Sequence, residues 1–385
     1  MPLRFVFACD SFKGTLSSSR TAELLTDAAL QTFPGAECYA LPMADGGEGT
    51  VEAVVSAAGG HLVHAEARDP LGRSITAGYA LLPGHRAVIE VSAASGLPLL
   101  SPSERNPLHT SSFGTGQLIA HALGRGARDI TVALGGSATN DGGMGILRAL
   151  GARFLDTSGR VLPGTGADLA RVASIDLSGL DRRLGGVSFH AMCDVDSPLL
   201  GPNGASRLFG PQKGATTADV LSLEEGMSAY ARRLANAFGR PFVDSPGFGA
   251  AGGIGAALRL AFGADVASGV ERVLDLVGFN DVLAGADLCI TGEGHADAQT
   301  AHGKVVSGVA WRCRAAGVPC VAIVGGMEPG ATELAGFGVD ALVPTVIDAT
   351  ILDEALAHAE ENFGLAAARV FSLLALGMRM RGDAQ

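Results

Sequence analysis

The stretch DITVALGGSATNDGGMGILRAL, residues 129–150, decides the fold class of this chain. Its first five residues have the composition of a buried strand, and from Ile146 onward apolar residues repeat at helical spacing. The segment between them, Leu134–Gly145, contains five glycines and no aromatic or basic residue. A strand, a glycine-rich loop and a helix in this order predict a parallel α/β sheet.

The same order of strand, loop and helix occurs at both ends of the chain. RFVFAC (residues 4–9) runs into DSFKG, and CYALPM (residues 38–43) runs into ADGGEGT. From Asp287 onward three more strands alternate with helices. Two strands cannot form a doubly wound sheet alone. We therefore predict a flavodoxin-like parallel-sheet domain built from both chain ends, residues 1–62 plus 283–385.

The central region, residues 63–282, is predicted to form an inserted second α/β domain. It opens with the apolar runs HLVHAEARD, RSITAGYALL and AVIEVS, which are joined by turns at residues 70–72 and 83–84. Short strands joined by such turns predict an antiparallel meander. Units of strand, loop and helix then return around residues 129–150 and 193–199.

Composition and charge exclude several classes of protein. The 385 residues carry a net charge of −11 without a basic run, which argues against nucleic acid and anionic membranes as partners. The six cysteines are scattered with no C-x-x-C pair, so neither a disulfide framework nor a zinc site is predicted. No apolar run reaches the length of a membrane span. We therefore expect a cytoplasmic protein.

Acidic and glycine-rich loops follow the predicted parallel strands. Ligands of open parallel sheets bind at the carboxyl ends of the strands, where glycines let the backbone approach them closely. Carboxylates hold Mg²⁺, while backbone amides and lysines hold phosphate oxygens, so these loops predict phosphoryl transfer. The candidate residues in the N-terminal and TGEG loops are Asp10, Ser11, Lys13, Asp45, Gly46, Gly47, Glu48 and Glu293.

The glycine-rich loop after the strand at residues 129–133 is predicted to bind an anion. A loop that ends at a helix N-terminus presents unpaired N–H groups and the positive end of the helix dipole. The alternative is a tight turn that needs glycine only for its backbone angles. The candidate binding residues are Gly135, Gly136, Ser137, Thr139, Asn140 and Asp141, with Gly252 from a second glycine-rich loop.

Lysine is scarce in this chain. Lys13, Lys213 and Lys304 are the only lysines among 28 basic residues, and each of them is next to a glycine. Arginine does not replace lysine where a compact charge on a flexible stem is needed. We therefore predict that Lys13 and Lys213 contact phosphate. The alternative is chance survival at solvated surface positions.

Two aspartates are candidate catalytic groups, Asp45 and Asp194. Asp194 and Asp196 are two residues apart, so they share one face of an extended segment. We expect one carboxylate to accept the proton of a substrate hydroxyl, and we expect Asp194 or Glu293 to bind the metal. The alternative for each of these acids is an N-cap or a turn.

The segment GFGAAG (residues 247–252) matches the dinucleotide-binding pattern of glycines. The run before it, RPFVDSP, is short and is broken by Pro246, so the strand that this motif requires is not predicted. A nicotinamide-dependent hydroxy-acid dehydrogenase and a non-catalytic metabolite sensor remain as alternative functions.

Taken together, the motifs of this chain resemble the type I glycerate kinase family. Nine of them occur in order along nearly the whole chain: DSFKGTLS, PMADGGEGT, IEVSAASGL, SSFGTGQLI, GGSATNDGG, CDVDSPL, FGPQKGA, PGFGAAGGIG and TGEGHADAQTAHGK. The resemblance implies ATP- and Mg²⁺-dependent phosphorylation of D-glycerate, most often at the 2-hydroxyl, with the 3-hydroxyl as the alternative. It also implies a flavodoxin-like domain paired with a second α/β domain, with the site in the cleft between them. We expect a monomer or a homodimer.

The resemblance suggests roles for particular residues. Glycerate is expected near DSFKG and ADGGEG with Lys13 facing it, and Asp45 is the expected base. The ATP phosphates are expected on the GGSATNDGG amides and Lys213. The sequence departs from the family pattern at His295, where we expect arginine, which puts in doubt a phosphate-binding arginine at the TGEG loop. Smaller departures occur at Ser197, Phe248 and Val306.

Overall fold

The computed structural model describes residues 2–12, 14–47, 49–297, 300, 304–346 and 350–380. The strands of these residues are β1 (Arg4–Cys9), β2 (Glu37–Ala40), β3 (His61–Arg68), β4 (Ser74–Leu82), β5 (Arg86–Glu90), β6 (Asp129–Ala133), β7 (Arg153–Leu155), β8 (Ser174–Asp176), β9 (Ser188–Met192), β10 (Asp265–Ala267), β11 (Leu288–Ala296), β12 (Cys320–Met327) and β13 (Ala341–Pro344). The helices are α1 (Ser18–Thr32), α2 (Thr50–Ala58), α3 (Ser92–Ser95), α4 (Phe113–Gly124), α5 (Met144–Ala149), α6 (Ala205–Phe209), α7 (Thr217–Ala237), α8 (Ala250–Phe262), α9 (Gly269–Leu276), α10 (Phe279–Leu283), α11 (Val305–Ala316), α12 (Leu334–Phe337), α13 (Leu352–Ala357) and α14 (Ala359–Met380).

The chain divides into two compact units. Unit 1 contains residues 1–45, 56–58 and 270–385, and unit 2 contains residues 46–55 and 59–269. The predicted boundaries, 62/63 and 282/283, differ from these. Helix α9 lies in unit 1 because Arg312 of α11 forms ion pairs with Glu271, at 2.5 Å, and with Asp275, at 3.0 Å. The start of α2 lies in unit 2, where Glu90 accepts a hydrogen bond from the Val51 amide at 2.9 Å.

Unit 1 contains a five-stranded parallel sheet. Its strand order is β13-β12-β11-β1-β2, which is the flavodoxin order once the strands of this unit are renumbered along the chain. The predicted α/β class and the flavodoxin-like sheet are confirmed. Phe5 and Phe7 point to one face of β1, as alternate residues of a strand must, and Phe371 of α14 packs 5.3 Å from the Phe5 ring.

Helix α14 is long and apolar enough to cross a membrane by length and composition alone, which the sequence did not predict. Its buried residues include Phe363, Ala367 and Phe371, which belong to the core of unit 1 together with residues of α1 and β1. Leu373 and Met380 of the same helix are 67% and 79% exposed, so packing on the sheet accounts for only part of its apolar composition.

Unit 2 contains a six-stranded mixed sheet of order β10-β9-β6-β5-β4-β3. The strands from β10 to β5 are parallel, while β4 pairs antiparallel with both β5 and β3. The predicted antiparallel meander is therefore confirmed. Ile130 and Val132 of β6 are fully buried with Leu118 of α4 and Ile254 of α8, so these helices cover the sheet and leave its carboxyl edge to the loops.

Candidate functional site

Three of the predicted loops meet at the carboxyl edge of the unit 2 sheet. A Cβ atom added to Gly135 would lie 3.3 Å from the Cα of Gly47. One added to Gly46 would lie 3.0 Å from the Cα of Gly269 and 3.8 Å from Asp194 Oδ2. Gly46 also has a φ of +90°, which side-chain-bearing residues rarely adopt. Because these positions are glycines, the loop backbones can approach one another closely beside the Asp194 carboxylate.

The Asp194 carboxylate is oriented by the loop that follows β10. Its Oδ1 accepts hydrogen bonds from the Gly269 amide at 2.9 Å and from Ser268 Oγ at 3.1 Å. These bonds hold the side chain at the end of β9, next to the glycines of the other two loops. The structure thus brings together Asp194, Gly46, Gly47 and Gly135, whereas the sequence assigned Gly46 and Gly47 to the other domain.

Asp141 has a different environment from the other predicted binding residues. It is fully buried, and its carboxylate accepts hydrogen bonds from the Ser112 amide and hydroxyl at 2.7 and 2.8 Å and from the Gly143 and Gly145 amides at 3.0 and 3.1 Å. Burial raises the pKa of Asp141, and these hydrogen bonds oppose that shift. The amides that open α5 are therefore bound by the protein's own carboxylate.

Lys213 lies under the same glycine-rich loop. It is 2% exposed, and its Nζ donates hydrogen bonds to Thr139 O at 2.7 Å and to Ser137 Oγ at 2.9 Å. Burial lowers the pKa of Lys213 to about 7, and the charge of Asp141 opposes this shift. Both of these bonds go to the loop, so the ammonium group fixes the backbone of residues 137–139.

The second glycine-rich loop packs onto the first. Gly252 O accepts a hydrogen bond from the Gly142 amide at 3.0 Å, and a Cβ atom on Gly252 would lie 2.1 Å from Thr139 O. Ala251, Gly252 and Gly253 have φ values of +52°, +65° and +93°. Gly252 is therefore required by this close approach and by its backbone angles.

Some buried oxygens of this region have no hydrogen-bond partner among the described residues. They include Thr139 Oγ1, Asn140 Oδ1 and Ser197 Oγ. The amide nitrogen of Asn140 donates to Ser206 Oγ at 3.0 Å. The predicted residues Thr139 and Asn140 thus face the interior of unit 2, and each has an oxygen that can accept a further hydrogen bond. The predicted residues Gly136 and Ser137 belong to the same loop.

Unit 1 contains a cavity of about 510 Å³ at the carboxyl ends of its strands. Its polar lining, here called the polar side, includes Asp10, Ser11, Asp45, Glu293, His295 and Lys304. Its apolar lining, here called the apolar side, includes Phe12, Val346, Leu352, Ala355, Leu356 and Ala359. The cavity therefore contains four of the predicted site residues of the N-terminal and TGEG loops.

Glu293 is the most enclosed acid of this cavity. Glu293 is 8% exposed, and Lys304 Nζ lies 3.3 Å from its Oε2. Its buried Oε1 has no hydrogen-bond partner among the residues that the structure describes. Burial raises the pKa of Glu293, and Thr300 and Lys304 oppose that shift. Nearby, Asp10 Oδ1 accepts a hydrogen bond from the Ser11 amide at 2.7 Å, which fixes the turn after β1.

Two predicted residues, Lys13 and Glu48, lie outside the described residues. Within the part of the chain that the structure describes, no group of three or more His, Cys, Asp or Glu side chains is arranged to hold a metal ion. This does not conflict with Mg²⁺, which is usually bound through one or two carboxylates together with substrate phosphates. The predicted arginine position holds His295, whose Nε2 lies 3.4 Å from Glu328 Oε1.

Sequence reasoning missed the apolar side of the cavity and the role of Glu90. Leu352 and Leu356 are four residues apart on α13, which is the spacing of apolar residues on any core-facing helix. The sequence therefore cannot distinguish leucines that line a cavity from leucines that pack in a core. Glu90 lies at the end of a strand, within the motif IEVSAASGL. An acidic residue at the end of a buried strand could have marked it as a residue with a specific partner. The structure shows that it caps α2.

The fold and its loops define an α/β protein with glycine-rich loops at the carboxyl ends of its parallel strands. A sequence model of the glycerate kinase family matches residues 5–375. Glycerate kinase of Bacillus subtilis is 45% identical over 93% of this chain and 94% of that protein. Glycerate 2-kinase of Escherichia coli K12 is 42% identical over 99% of this chain and 100% of that protein.

A solved structure agrees with these relatives. The crystal structure described provisionally as glycerate kinase 2 from Salmonella typhimurium LT2 has a TM-score of 0.90 and 42% identity, and covers 98% of this chain and 100% of that one. The chain belongs to the glycerate kinase family, and it is a kinase. The dehydrogenase and sensor alternatives are not supported.

Proposed function

We propose that this kinase transfers the terminal phosphoryl group of ATP to the 2-hydroxyl of D-glycerate, giving ADP and 2-phosphoglycerate. The observation that carries the proposal is the meeting of Gly46, Gly47 and Gly135 beside Asp194. Backbone without side chains gives phosphate oxygens access to amides, and a neighbouring carboxylate suits a hard cation. The name of the E. coli relative, a glycerate 2-kinase, supports the acceptor and its hydroxyl.

We propose Asp194 as the Mg²⁺ ligand. Its carboxylate is held in place by Ser268 and Gly269. Glu293, the other predicted ligand, is a poorer one because Lys304 Nζ already lies 3.3 Å from its Oε2 and repels a second cation there. When bound, the ion neutralises charge on the phosphates.

The remaining roles are assigned to the N-terminal loops. Asp45, which directly precedes Gly46 in the chain, accepts the proton of the 2-hydroxyl as it attacks. Asp10 and Ser11 bind glycerate, and Lys13 faces its carboxylate or the transferring phosphate. Lys213 acts through the loop that it fixes, so it is a positioning residue in this proposal.

The enzyme is proposed to be cytoplasmic and to act as a monomer or homodimer on small molecules alone. The net charge of −11 and the absence of a basic run support the exclusion of nucleic acid. Light scattering on the purified protein measures the oligomeric state.

The proposal is tested by ADP release with ATP and Mg²⁺, with and without D-glycerate. We expect release only when D-glycerate is present, loss of activity in EDTA and recovery with Mg²⁺. ADP release at the same rate without glycerate, or activity that survives EDTA, would refute it.

A further inference from the structure

The cavity of unit 1 is larger and more apolar than glycerate requires. Glycerate is a three-carbon acid with polar groups on every carbon, while the cavity has a volume of about 510 Å³. Volumes of this size are typical of sites for much larger ligands. Glycerate bound by the aspartates on the polar side would leave the apolar side of the cavity uncovered.

The apolar side presents large exposed side chains. Leu352 of α13 is 72% exposed and Leu356 is 45% exposed, and both line the cavity together with Val346. Neighbouring exposed leucines at a cavity mark a surface that an apolar group covers. A purine ring has two apolar faces of suitable size, and glycerate has none.

The polar side holds an acceptor without a donor. Within the described part of the chain, Glu293 Oε1 is buried and has no hydrogen-bond partner, although the carboxyl group lines the cavity. A buried acceptor without a partner is costly, so such an atom is expected to meet a donor when the ligand binds. The vicinal hydroxyls of a ribose are donors of this kind, and acids at the end of a parallel strand bind them in other α/β folds.

Three glycines are also part of the cavity lining. Gly294, Gly325 and Gly326 line the cavity at the ends of β11 and β12. A Cβ atom on Gly325 would lie 2.3 Å from Gly294 O, so the two strands come too close there for a side chain. Backbone without side chains lets a planar ring lie directly on it.

From these observations we propose that the cavity of unit 1 binds the nucleoside end of ATP, with the purine on Leu352 and Leu356 and the ribose hydroxyls on Glu293. The proposal rests on the proposed function, because that function supplies the nucleotide. It leaves the aspartates of the same cavity for glycerate.

The first test compares two leucines of unit 1 that are similarly exposed. Leu352→Glu puts a charge on the apolar side, and Leu373→Glu does the same on α14, where Leu373 is 67% exposed and lines no part of the cavity. Calorimetric titration with ADP is expected to give a Kd raised at least tenfold by Leu352→Glu and unchanged by Leu373→Glu. An unchanged ADP Kd in Leu352→Glu, or no ADP binding to the wild type, would overturn the proposal.

The second test addresses Glu293. The wild type is expected to bind ADP about tenfold more tightly than 2′-deoxy-ADP, and Glu293→Gln is expected to lose most of this preference. If wild type and Glu293→Gln prefer ADP over 2′-deoxy-ADP by the same factor, the proposed contact between Glu293 and the ribose is overturned. Leu352→Glu that raises KM for D-glycerate while leaving the ADP Kd unchanged would assign the apolar side to the acceptor instead.

These measurements separate the proposal from the proposed function. ADP binding that is lost in Leu352→Glu, together with no phosphoglycerate produced by the wild type, would refute the reaction and support the nucleoside site. If the wild type phosphorylates D-glycerate and Leu352→Glu leaves the ADP Kd unchanged, the reaction is supported and the nucleoside site is refuted.

Discussion

Lys213 Nζ donates a hydrogen bond to the carbonyl oxygen of Thr139, at 2.7 Å, beneath the glycine-rich loop of unit 2. A lysine in this position holds the loop from below. The scarcity of lysine in the sequence predicts that Lys213 contacts phosphate directly. In that case, substitution of Lys213 would leave the stability of the protein almost unchanged. The burial of Lys213 leads to a different expectation.

Lys213→Arg is expected to lower both stability and turnover. The larger guanidinium has to fit a site that is already filled, which costs about 1–3 kcal/mol, and it displaces residues 137–139. We expect kcat to fall about 10- to 100-fold because the loop is misplaced. Thermal unfolding and steady-state kinetics measure the two effects.

The matched control is Arg207→Lys on α6, where the residue is exposed. Its stability is expected to stay within about 0.5 kcal/mol of wild type. A Lys213→Arg variant with reduced kcat and wild-type Tm would instead support a direct phosphate contact.

The stability of the protein is expected to depend on pH through Lys213. Its pKa is lowered from 10.5 in the unfolded chain to about 7 in the folded state. Between these values the unfolded state binds more protons, so the free energy of unfolding rises with pH across this window. This contribution is fully present above the unfolded pKa and is lost as the pH falls to about 7.

The measurement is the difference in unfolding free energy between wild type and Lys213→Met from pH 7 to pH 10. The wild type is expected to gain stability relative to the variant as the pH rises. A difference that does not change with pH would mean that Lys213 titrates normally.

Substitution by asparagine is expected to lower mainly stability at Asp141 and mainly activity at Asp194, two aspartates of unit 2. Asp141→Asn replaces a carboxylate that accepts four hydrogen bonds, so we expect a loss of about 3 kcal/mol or more in stability. Asp194→Asn changes an exposed loop side chain. We expect a Tm close to wild type, a kcat reduced about 100-fold and a higher Mg²⁺ requirement.

Thermal melts and Mg²⁺ titrations of the two variants provide the comparison, with Asp196→Asn as an exposed control in the same loop. Asp194→Asn with wild-type kcat and Mg²⁺ dependence would remove Asp194 from the proposed metal site.

Gly252→Ala is expected to disrupt the contact between the two glycine-rich loops. The added Cβ would lie 2.1 Å from Thr139 O on a residue whose φ is +65°. Strain and overpacking together cost about 3 kcal/mol or more. Gly364→Ala in α14, which meets no atom within 4 Å, is the control and is expected to be neutral or slightly stabilising. Equal melting temperatures for Gly252→Ala and wild type would show that the loop relaxes.

The sequence predicted the sheets well because their signals are local. Strand, loop and helix recur at residues 4–32 and 129–149, and the meander before residue 90 has turns between its strands. The boundaries of the units are set by long-range contacts instead. The ion pairs of Arg312 with Glu271 and Asp275 place α9 with unit 1, and no local pattern announces them.

The candidate site was predicted in part for a similar reason. Glycine marks close backbone approach, so Gly46 and Gly135 were identified from composition alone. Whether a polar side chain faces a ligand or the interior depends on packing. Asp141 and Asp194 both follow strands in loops rich in polar residues, yet the first is fully buried and the second is exposed.

The most direct test of the account is a phosphorus NMR time course with ATP, Mg²⁺ and D-glycerate. We expect 2-phosphoglycerate and ADP to appear together in equal amounts and ATP to be stable without D-glycerate. The appearance of 3-phosphoglycerate as the primary product, or of inorganic phosphate in place of a phosphoglycerate, would contradict it.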